Sequence, residues 1–372
     1  MSEKELNDRK KVFIVAGELS GDKTAAWFVK KWQGDDIYFE AVGGDFLANC
    51  GVKLYERFEK LNVVGIVEIV RHLVTILRFM SKLIDHIKAN GFEEVILVDF
   101  PGFNLRLAKQ LKRQIPGIKI TYLAPPQLWC WGAWRVKKLK KYSDRVVVLY
   151  PFEVQWYAQR GVNAEWIGNP SYDEMRPYFE QATKQENLIA LIPGSRVSEI
   201  KRFIPILAEV VNLFGKHYPD AKFVIPVAES LSGDFLKSEI AKAGLGLDKI
   251  QILQSDNEKF EIIKKCCLAI TKPGTVTLEL ALLGVPAVVF FKISWLTYII
   301  GRLLVRVRFM ALPNLLLGNE VCKECIQDDC KPKVVFDHAR NIYQSFIECG
   351  REYKDNVDRL NFIKTLFGSS RL

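Results

Sequence analysis

The chain holds only four histidines, His72, His86, His217 and His338, and none of them sits in a clear motif. Acid–base chemistry carried by histidine is therefore not expected. Long apolar runs are missing too. A membrane-spanning helix needs roughly 20 apolar residues, and the nearest candidate, Gly284 to Ile300, is shorter and carries Lys292. Met1 to Lys11 is charged, with no apolar stretch ahead of a cleavage site, so secretion is not expected. The 24 glycines and 15 prolines form no low-complexity tract, and no repeat of solenoid period appears. Eight cysteines form no disulfide framework: Cys50, Cys130, Cys266, Cys267 and Cys349 are scattered, and a cytosolic chain keeps them reduced. Cys322, Cys325 and Cys330 lie close together but lack a second pair, whereas structural zinc needs four ligands. They read as free thiols on a helix and turn, and no metal or cofactor is expected.

What is present is an ordinary folded chain, 49% hydrophobic and 26% charged. Its 372 residues exceed the usual size of one domain, so two are expected. A net charge of +10 favours anionic partners, whether nucleic acid, nucleotide or acidic lipid, without choosing among them.

Two glycine turns about eighty residues apart say most. One is Leu191-Ile192-Pro193-Gly194-Ser195-Arg196, and the other runs from Thr271-Lys272-Pro273-Gly274 through Thr275, Val276, Thr277 and Leu278 to Glu279. Each follows an apolar run and leads into a helical pattern. Such turns are expected to leave backbone N–H groups unpaired and pointing outward, with the helix dipole adding positive charge. Arg196 can fork onto phosphate oxygens, and Glu279, one helical turn on, can accept both ribose hydroxyls. The pair suits a nucleoside diphosphate.

Strand-like runs fall at Lys11–Ala16, Val95–Val98, Ile118–Leu123 and Arg145–Leu149, with helical stretches from about Lys23 and over Leu105–Arg113. After Gly168-Asn169-Pro170 and a polar linker over Arg176–Asn187, strands recur at Leu188–Ile192, Lys222–Pro226, Ile250–Leu253, Leu268–Thr271 and Ala287–Phe291. Alternating strands and helices imply an α/β chain of parallel, doubly wound sheets, with functional groups beyond the strands' carboxyl ends. Two Rossmann-like domains are expected, over residues 1–175 and 176–372. They resemble the GT-B architecture, in which two such domains face each other across a cleft. The pattern turns helical from Asp337 onward.

Two segments depart from that plan. In Val63 to Ile87, Leu73, Ile76, Leu77, Met80, Leu83, Ile84 and Ile87 form one helical stripe, preceded by apolar Val64 and Ile66. The stripe reads either as core-facing or as lipid-facing. In Phe290 to Met310, Trp295, Leu296, Tyr298, Ile299, Ile300, Leu303 and Leu304 mix with Lys292, Arg302, Arg306 and Arg308. An anionic bilayer surface selects such a mixture, though simple packing accounts for it equally.

Taken in order, the motifs resemble bacterial lipid-A-disaccharide synthase, over nearly the whole chain. They are Ala16 to Asp22, Asn62 to Glu68, Asp99 to Asn104, the tryptophan-rich loop Pro125 to Arg135, Pro151-Phe152-Glu153 and Ile167 to Pro170. Then come Pro193 to Arg196 with Glu199, Gly274 to Glu279, and Pro313-Asn314-Leu315-Leu316. The resemblance implies a Gram-negative glycosyltransferase of lipid A biosynthesis that needs no metal, inverts the anomeric centre and acts on UDP-2,3-diacylglucosamine and 2,3-diacylglucosamine 1-phosphate. It also implies a cytoplasmic enzyme in peripheral contact with the anionic inner membrane, with a homodimer left open.

On this reading Asp99 is the base and Glu18 the next candidate for catalysis or acceptor binding. Ser195, Arg196, Gly274, Thr275, Thr277, Glu279 and Asn314 contact the UDP donor. Val64, Ile66, Leu73, Trp295 and Leu296 meet acyl chains or membrane, and Trp129, Trp131 and Trp134 form either an apolar wall or core packing. The chain departs from the family twice. Gly102 replaces a second acid in a Pro-Asp-Phe-Asn run, and Asn169 stands where histidine is common. Other readings are a GT-B epimerase or muramyl-type transferase using UDP-N-acetylglucosamine, and a silent lipid- or nucleotide-binding protein. A nucleic-acid binder is suggested by pI ≈ 9.1 and the run Arg135, Lys137, Lys138, Lys140, Lys141. A solvated helix face explains that run as well, and no nucleic-acid partner is expected.

Overall fold

The structure, a computed structural model, describes residues 9–32, 36–58, 69–180, 184–228, 231–246, 248–254, 256–305 and 307–368. They form two compact units, one ending at Pro170 and the other beginning at Ser171.

The first unit is built on seven parallel strands: β1 (Lys10–Ala16), β2 (Ile37–Gly43), β3 (Lys53–Arg57), β4 (Glu94–Val98), β5 (Lys119–Leu123), β6 (Arg145–Val148) and β7 (Ala164–Trp166). Their order is β3-β2-β1-β4-β5-β6-β7. A parallel strand covered on both faces must be apolar on both, and β1 shows it. Val12, Ile14 and Ala16 join one core with Ala25, Phe28 and Val29 of the helix Leu19–Lys31. Phe13 and Val15 point the other way, into a core with Leu107, Ala108 and Leu111 of the helix Pro101–Gln114.

The second unit repeats the plan with six parallel strands: β8 (Gln185–Ile192), β9 (Lys222–Pro226), β10 (Ile250–Leu253), β11 (Cys266–Thr271), β12 (Ala287–Phe291) and β13 (Lys323–Ile326). Their order is β10-β9-β8-β11-β12-β13. Helices Val197–His217 and Pro332–Ile347 bury Phe203, Phe214, Val335 and Phe336 in one core with β8, β11 and β12. The second unit ends in the helix Arg351–Gly368.

In each sheet the strand order reverses direction between the first strand and the fourth, which is where such sheets place ligands. In the first unit that junction lies between β1 and β4, where Ala16 pairs with Val98. In the second it lies between β8 and β11, where Ile192 pairs with Thr271.

Several local boundaries differ from expectation. The first helix begins at Leu19 rather than Lys23 and takes in Asp22, which caps nothing there. Its buried carboxylate instead accepts the N–H groups of Gly44 and Phe46, at 2.8 and 3.0 Å. Strands β2, β3, β7 and β13 escape an apolar-run reading because charged residues interrupt them. In β2, Glu40 is buried and satisfied by His86, Tyr38 and Lys53. β8 begins at Gln185, inside the expected linker, and the last helical region begins at Pro332 rather than Asp337. Cys322, Cys325 and Cys330 lie on and beside β13 rather than on a helix, and all eight cysteines are free thiols.

The apolar stripe divides. In the helix Ile69–Ala89, Met80, Leu83, Ile84 and Ile87 of the stripe are buried, whereas Leu77 is exposed. Val64 and Ile66 lie outside the described residues, as does the side chain of Leu73. Among the described residues, no helix is long and apolar enough to cross a membrane.

Candidate active site

Both glycine turns of the second unit issue from its sheet junction. β8 ends at Ile192, Gly194 follows at φ 128°, and the helix Val197–His217 begins with Arg196 as its cap residue. β11 ends at Thr271, Gly274 follows at φ 155°, and a helix starts at Thr275. Side chains rarely adopt either φ, which explains glycine at both positions. The Lys272 N–H donates to the Ile192 carbonyl at 3.2 Å and holds the two turns side by side. Between them opens a cavity of about 220 Å³ whose lining includes Gly194, Ser195, Gly274, Thr275 and Glu279. Its lining also includes residues that were not site candidates from the sequence: Lys272 and Lys259 supply cations, and Val227 and Phe260 supply part of an apolar wall. Only Lys272 had a sequence signal, its place inside the glycine turn. The others come from just past the end of β9 and from the helix Asp256–Ile263, brought in by the fold.

The first turn is not open in the way expected. Glu199 returns its carboxylate to the turn and accepts the N–H groups of Ser195 and Arg196, at 3.0 and 3.3 Å. Its other oxygen accepts from Lys272 Nζ at 3.1 Å. Burial raises the Glu199 pKa, but the Lys272 and backbone hydrogen bonds outweigh it and leave the carboxyl below its usual range. Arg196 does not line the cavity; its side chain is 75% exposed, with Nη1 3.9 Å from Glu199. The second turn differs: a helix start leaves its first N–H groups, here those of Thr275 and Val276, without intrahelical acceptors.

Thr277 and Asn314 are buried and do not line this cavity. The Thr277 hydroxyl donates to the Gly274 carbonyl at 2.8 Å and accepts the Leu312 N–H at 3.2 Å. Asn314 donates to Cys322 O and Glu324 Oε1 and accepts from the N–H groups of Val321 and Cys322, all within 2.8 Å. Its amide is thus fully engaged inside the chain.

In the first unit, Glu18 and Asp99 sit on the turns that leave β1 and β4. Asp99 and Phe100 are both left-handed, at φ 46° and 43°, and the cap position of the following helix belongs to Phe100. Asp99 is therefore not the helix cap. Burial, and then the charge of Glu18, pushes its pKa up to about 6. Glu18 itself is exposed. The conformation is held through the main chain: Asn104 Nδ2 donates to the carbonyls of Val98 and Asp99, each at 3.0 Å, and Tyr122 donates to Asp99 O at 2.7 Å.

Where the family's second acid would stand, Gly102 faces open space. A cavity of about 240 Å³ lies there, lined by Ile76, Leu77, Met80, Phe100, Phe103 and Arg106. Asn169 is buried and donates to Leu149 O at 3.2 Å. The tryptophan loop divides between its two readings. Trp129 is buried and donates to Glu153 at 2.8 Å, while Trp134 is exposed. The Arg135 guanidinium lies 4.2 Å from the Trp131 ring centre. Lys137, Lys138, Lys140 and Lys141 occupy a solvated helix face.

Trp295 and Leu296 are exposed by 53% and 71%, on the helix Trp295–Leu304, and Ile299 and Leu303 are exposed beside them. Among the described residues no cluster of His, Cys, Asp and Glu has the geometry of a metal site.

Comparison with known proteins bears on the family and the fold. The family model described as lipid-A-disaccharide synthetase matches residues 12–365. A lipid-A-disaccharide synthase of Geobacter sulfurreducens is 35% identical over 333 residues, covering 87% of this chain and 85% of that one. One from Coxiella burnetii is 32% identical over 368 residues, covering 95% of each. Among solved structures, the UDP-GlcNAc 2-epimerase of Neisseria meningitidis bound to UDP-GlcNAc superposes with a TM-score of 0.62 at 13% identity, covering 97% of this chain and 96% of that one. A glycosyltransferase from Rickettsia africae gives 0.56 at 13%, covering 98% and 95%. At that identity the structural likeness speaks for a shared GT-B fold and not for a shared reaction.

Proposed function

The chain belongs to the lipid-A-disaccharide synthetase family and is a glycosyltransferase of lipid A disaccharide synthesis, and on that premise we propose its substrates and the residues that act on them. The donor is UDP-2,3-diacylglucosamine, the acceptor 2,3-diacylglucosamine 1-phosphate, and the products a β-1′,6-linked disaccharide 1-phosphate and UDP. One observation carries this reading: the two glycine turns of the second sheet converge on a single cavity with Glu279 inside it. The diphosphate lies against Ser195, Gly274 and Thr275, and Arg196 reaches it from the exposed side. Glu279 accepts the ribose hydroxyls, and the base packs on Val227 and Phe260. Thr277 and Asn314 serve the site by fixing the backbone that forms it.

Asp99 is the general base. A carboxyl group with a pKa of about 6 is ionised at neutral pH yet basic enough to take a proton from the acceptor's 6-hydroxyl. That oxygen attacks the anomeric carbon from the face opposite UDP, and the carbon–oxygen bond to UDP breaks with its electron pair leaving on the diphosphate. The configuration inverts in this single displacement. The growing phosphate charge meets fixed cations and N–H dipoles, so no metal is required. Glu18 orients the acceptor beside Asp99.

Peripheral contact with the anionic cytoplasmic face of the inner membrane is proposed for Trp295, Leu296, Ile299 and Leu303, whose exposed apolar surface carries Arg302 alongside. The apolar cavity beside Gly102 gives an acyl chain a place near Asp99. The test is direct. Purified protein, both diacylated substrates and excess chelator should yield the disaccharide and UDP. Turnover of unacylated UDP-N-acetylglucosamine instead would replace this reading with that of another GT-B enzyme.

A further inference from the structure

We propose that Lys272 is the cation that grips the donor's diphosphate, and that Glu199 is the counterion it exchanges for that phosphate. The inference rests on the donor site proposed above and adds two residues to it. Lys272 is fixed at the sheet junction through its N–H and lines the cavity together with Gly194, Ser195, Gly274 and Thr275. Its side chain is only 19% exposed, and that of Glu199 only 15%. Three donors converge on the one carboxylate: the Lys272 ammonium at 3.1 Å and the N–H groups of Ser195 and Arg196 at 3.0 and 3.3 Å.

Two backbone N–H groups and a cation at a helix start are what a phosphate group would recruit. In this structure Glu199 takes all three, closing over Gly194, where even a methyl group would collide with its carboxylate. A carboxylate brings one negative charge, and a nucleoside diphosphate brings more. The ammonium has three N–H bonds to distribute, so it can pass from Glu199 to the phosphate. Arg196, largely solvated and outside the cavity lining, is less able to make a desolvated contact.

The experiment measures dissociation constants for UDP and for uridine, which share every contact except the phosphates. In Lys272→Met, UDP should weaken by about 10- to 100-fold while uridine changes little, and Lys272→Arg should recover most of the loss. In Glu199→Gln, UDP should tighten by roughly threefold to tenfold, because a competing negative charge is gone. That gain should vanish when Lys272→Met is added. An unchanged UDP-to-uridine ratio in folded Lys272→Met overturns the phosphate role. A Glu199→Gln protein that binds UDP no better than wild type overturns the exchange, and this arm stands even if Lys272→Met does not fold. A wild type that binds neither ligand overturns the donor site itself.

Discussion

Tyr122 donates its phenol hydroxyl to the backbone carbonyl of Asp99 at 2.7 Å, so a residue of β5 braces the turn that leaves β4. The brace acts on the main chain and leaves the carboxyl to other uses. Tyr122 is fully buried and Asn104 seizes the same carbonyl, so the left-handed Asp99–Phe100 pair is held from two sides. Strained backbone maintained in this way is common at functional sites.

Asp99→Asn keeps shape and removes basicity, so kcat should fall about 10²–10⁴-fold with UDP affinity unchanged. In the wild type, kcat/KM should rise with pH through about 6, as Asp99 ionises. Glu18→Gln removes one cause of the raised pKa, so the limb should move to lower pH; a limb that stays put would separate the two carboxyls. The folded-state pKa of Asp99 lies above its ordinary value, so ionisation costs stability, which declines as pH rises through about 6. Above that pH, Asp99→Asn should therefore melt no lower than wild type. Full turnover by the mutant would make Asp99 structural.

Arg196→Ala should raise the donor KM and lower kcat, but by less than Lys272→Met weakens UDP, because its guanidinium is 75% exposed and solvent screens its contact with the phosphate. Glu279→Gln should weaken UDP and leave the melting temperature alone. The wild type should prefer UDP over deoxy-UDP; equal affinities would remove Glu279 from the ribose.

Asn314→Ala should act on stability and not directly on nucleotide affinity. Four hydrogen bonds are lost and the N–H groups of Val321 and Cys322 are left without their acceptor. The expected cost is on the order of 2–4 kcal/mol, read from chemical denaturation. A normal unfolding curve with weakened UDP would return Asn314 to a ligand role.

Replacing Trp295 and Leu296 with serine should shift the protein from anionic vesicles to the supernatant in a sedimentation assay. Both side chains are largely exposed, so folding should be spared. Binding that ignores both the substitutions and the lipid charge would place membrane contact elsewhere or nowhere.

By itself the sequence determined the α/β class, the strands that are continuous apolar runs, and both glycine turns. These are legible because they are local: an apolar run buries both faces of a parallel strand, and positive φ selects glycine within a few residues. The ordered motifs also identified the family. Only the tertiary structure decided which polar groups those turns keep for themselves. Lys272 meets Glu199 across 73 positions, and Asp22 caps a chain segment 22 residues away. Helical periodicity presented the stripe from Leu73 to Ile87 as one surface, yet neighbouring elements bury its end and leave Leu77 exposed. Whether a side chain is buried, or its hydrogen bonds are spent, depends on what packs against it. Those contacts come from strands and helices far along the chain, which no local pattern records.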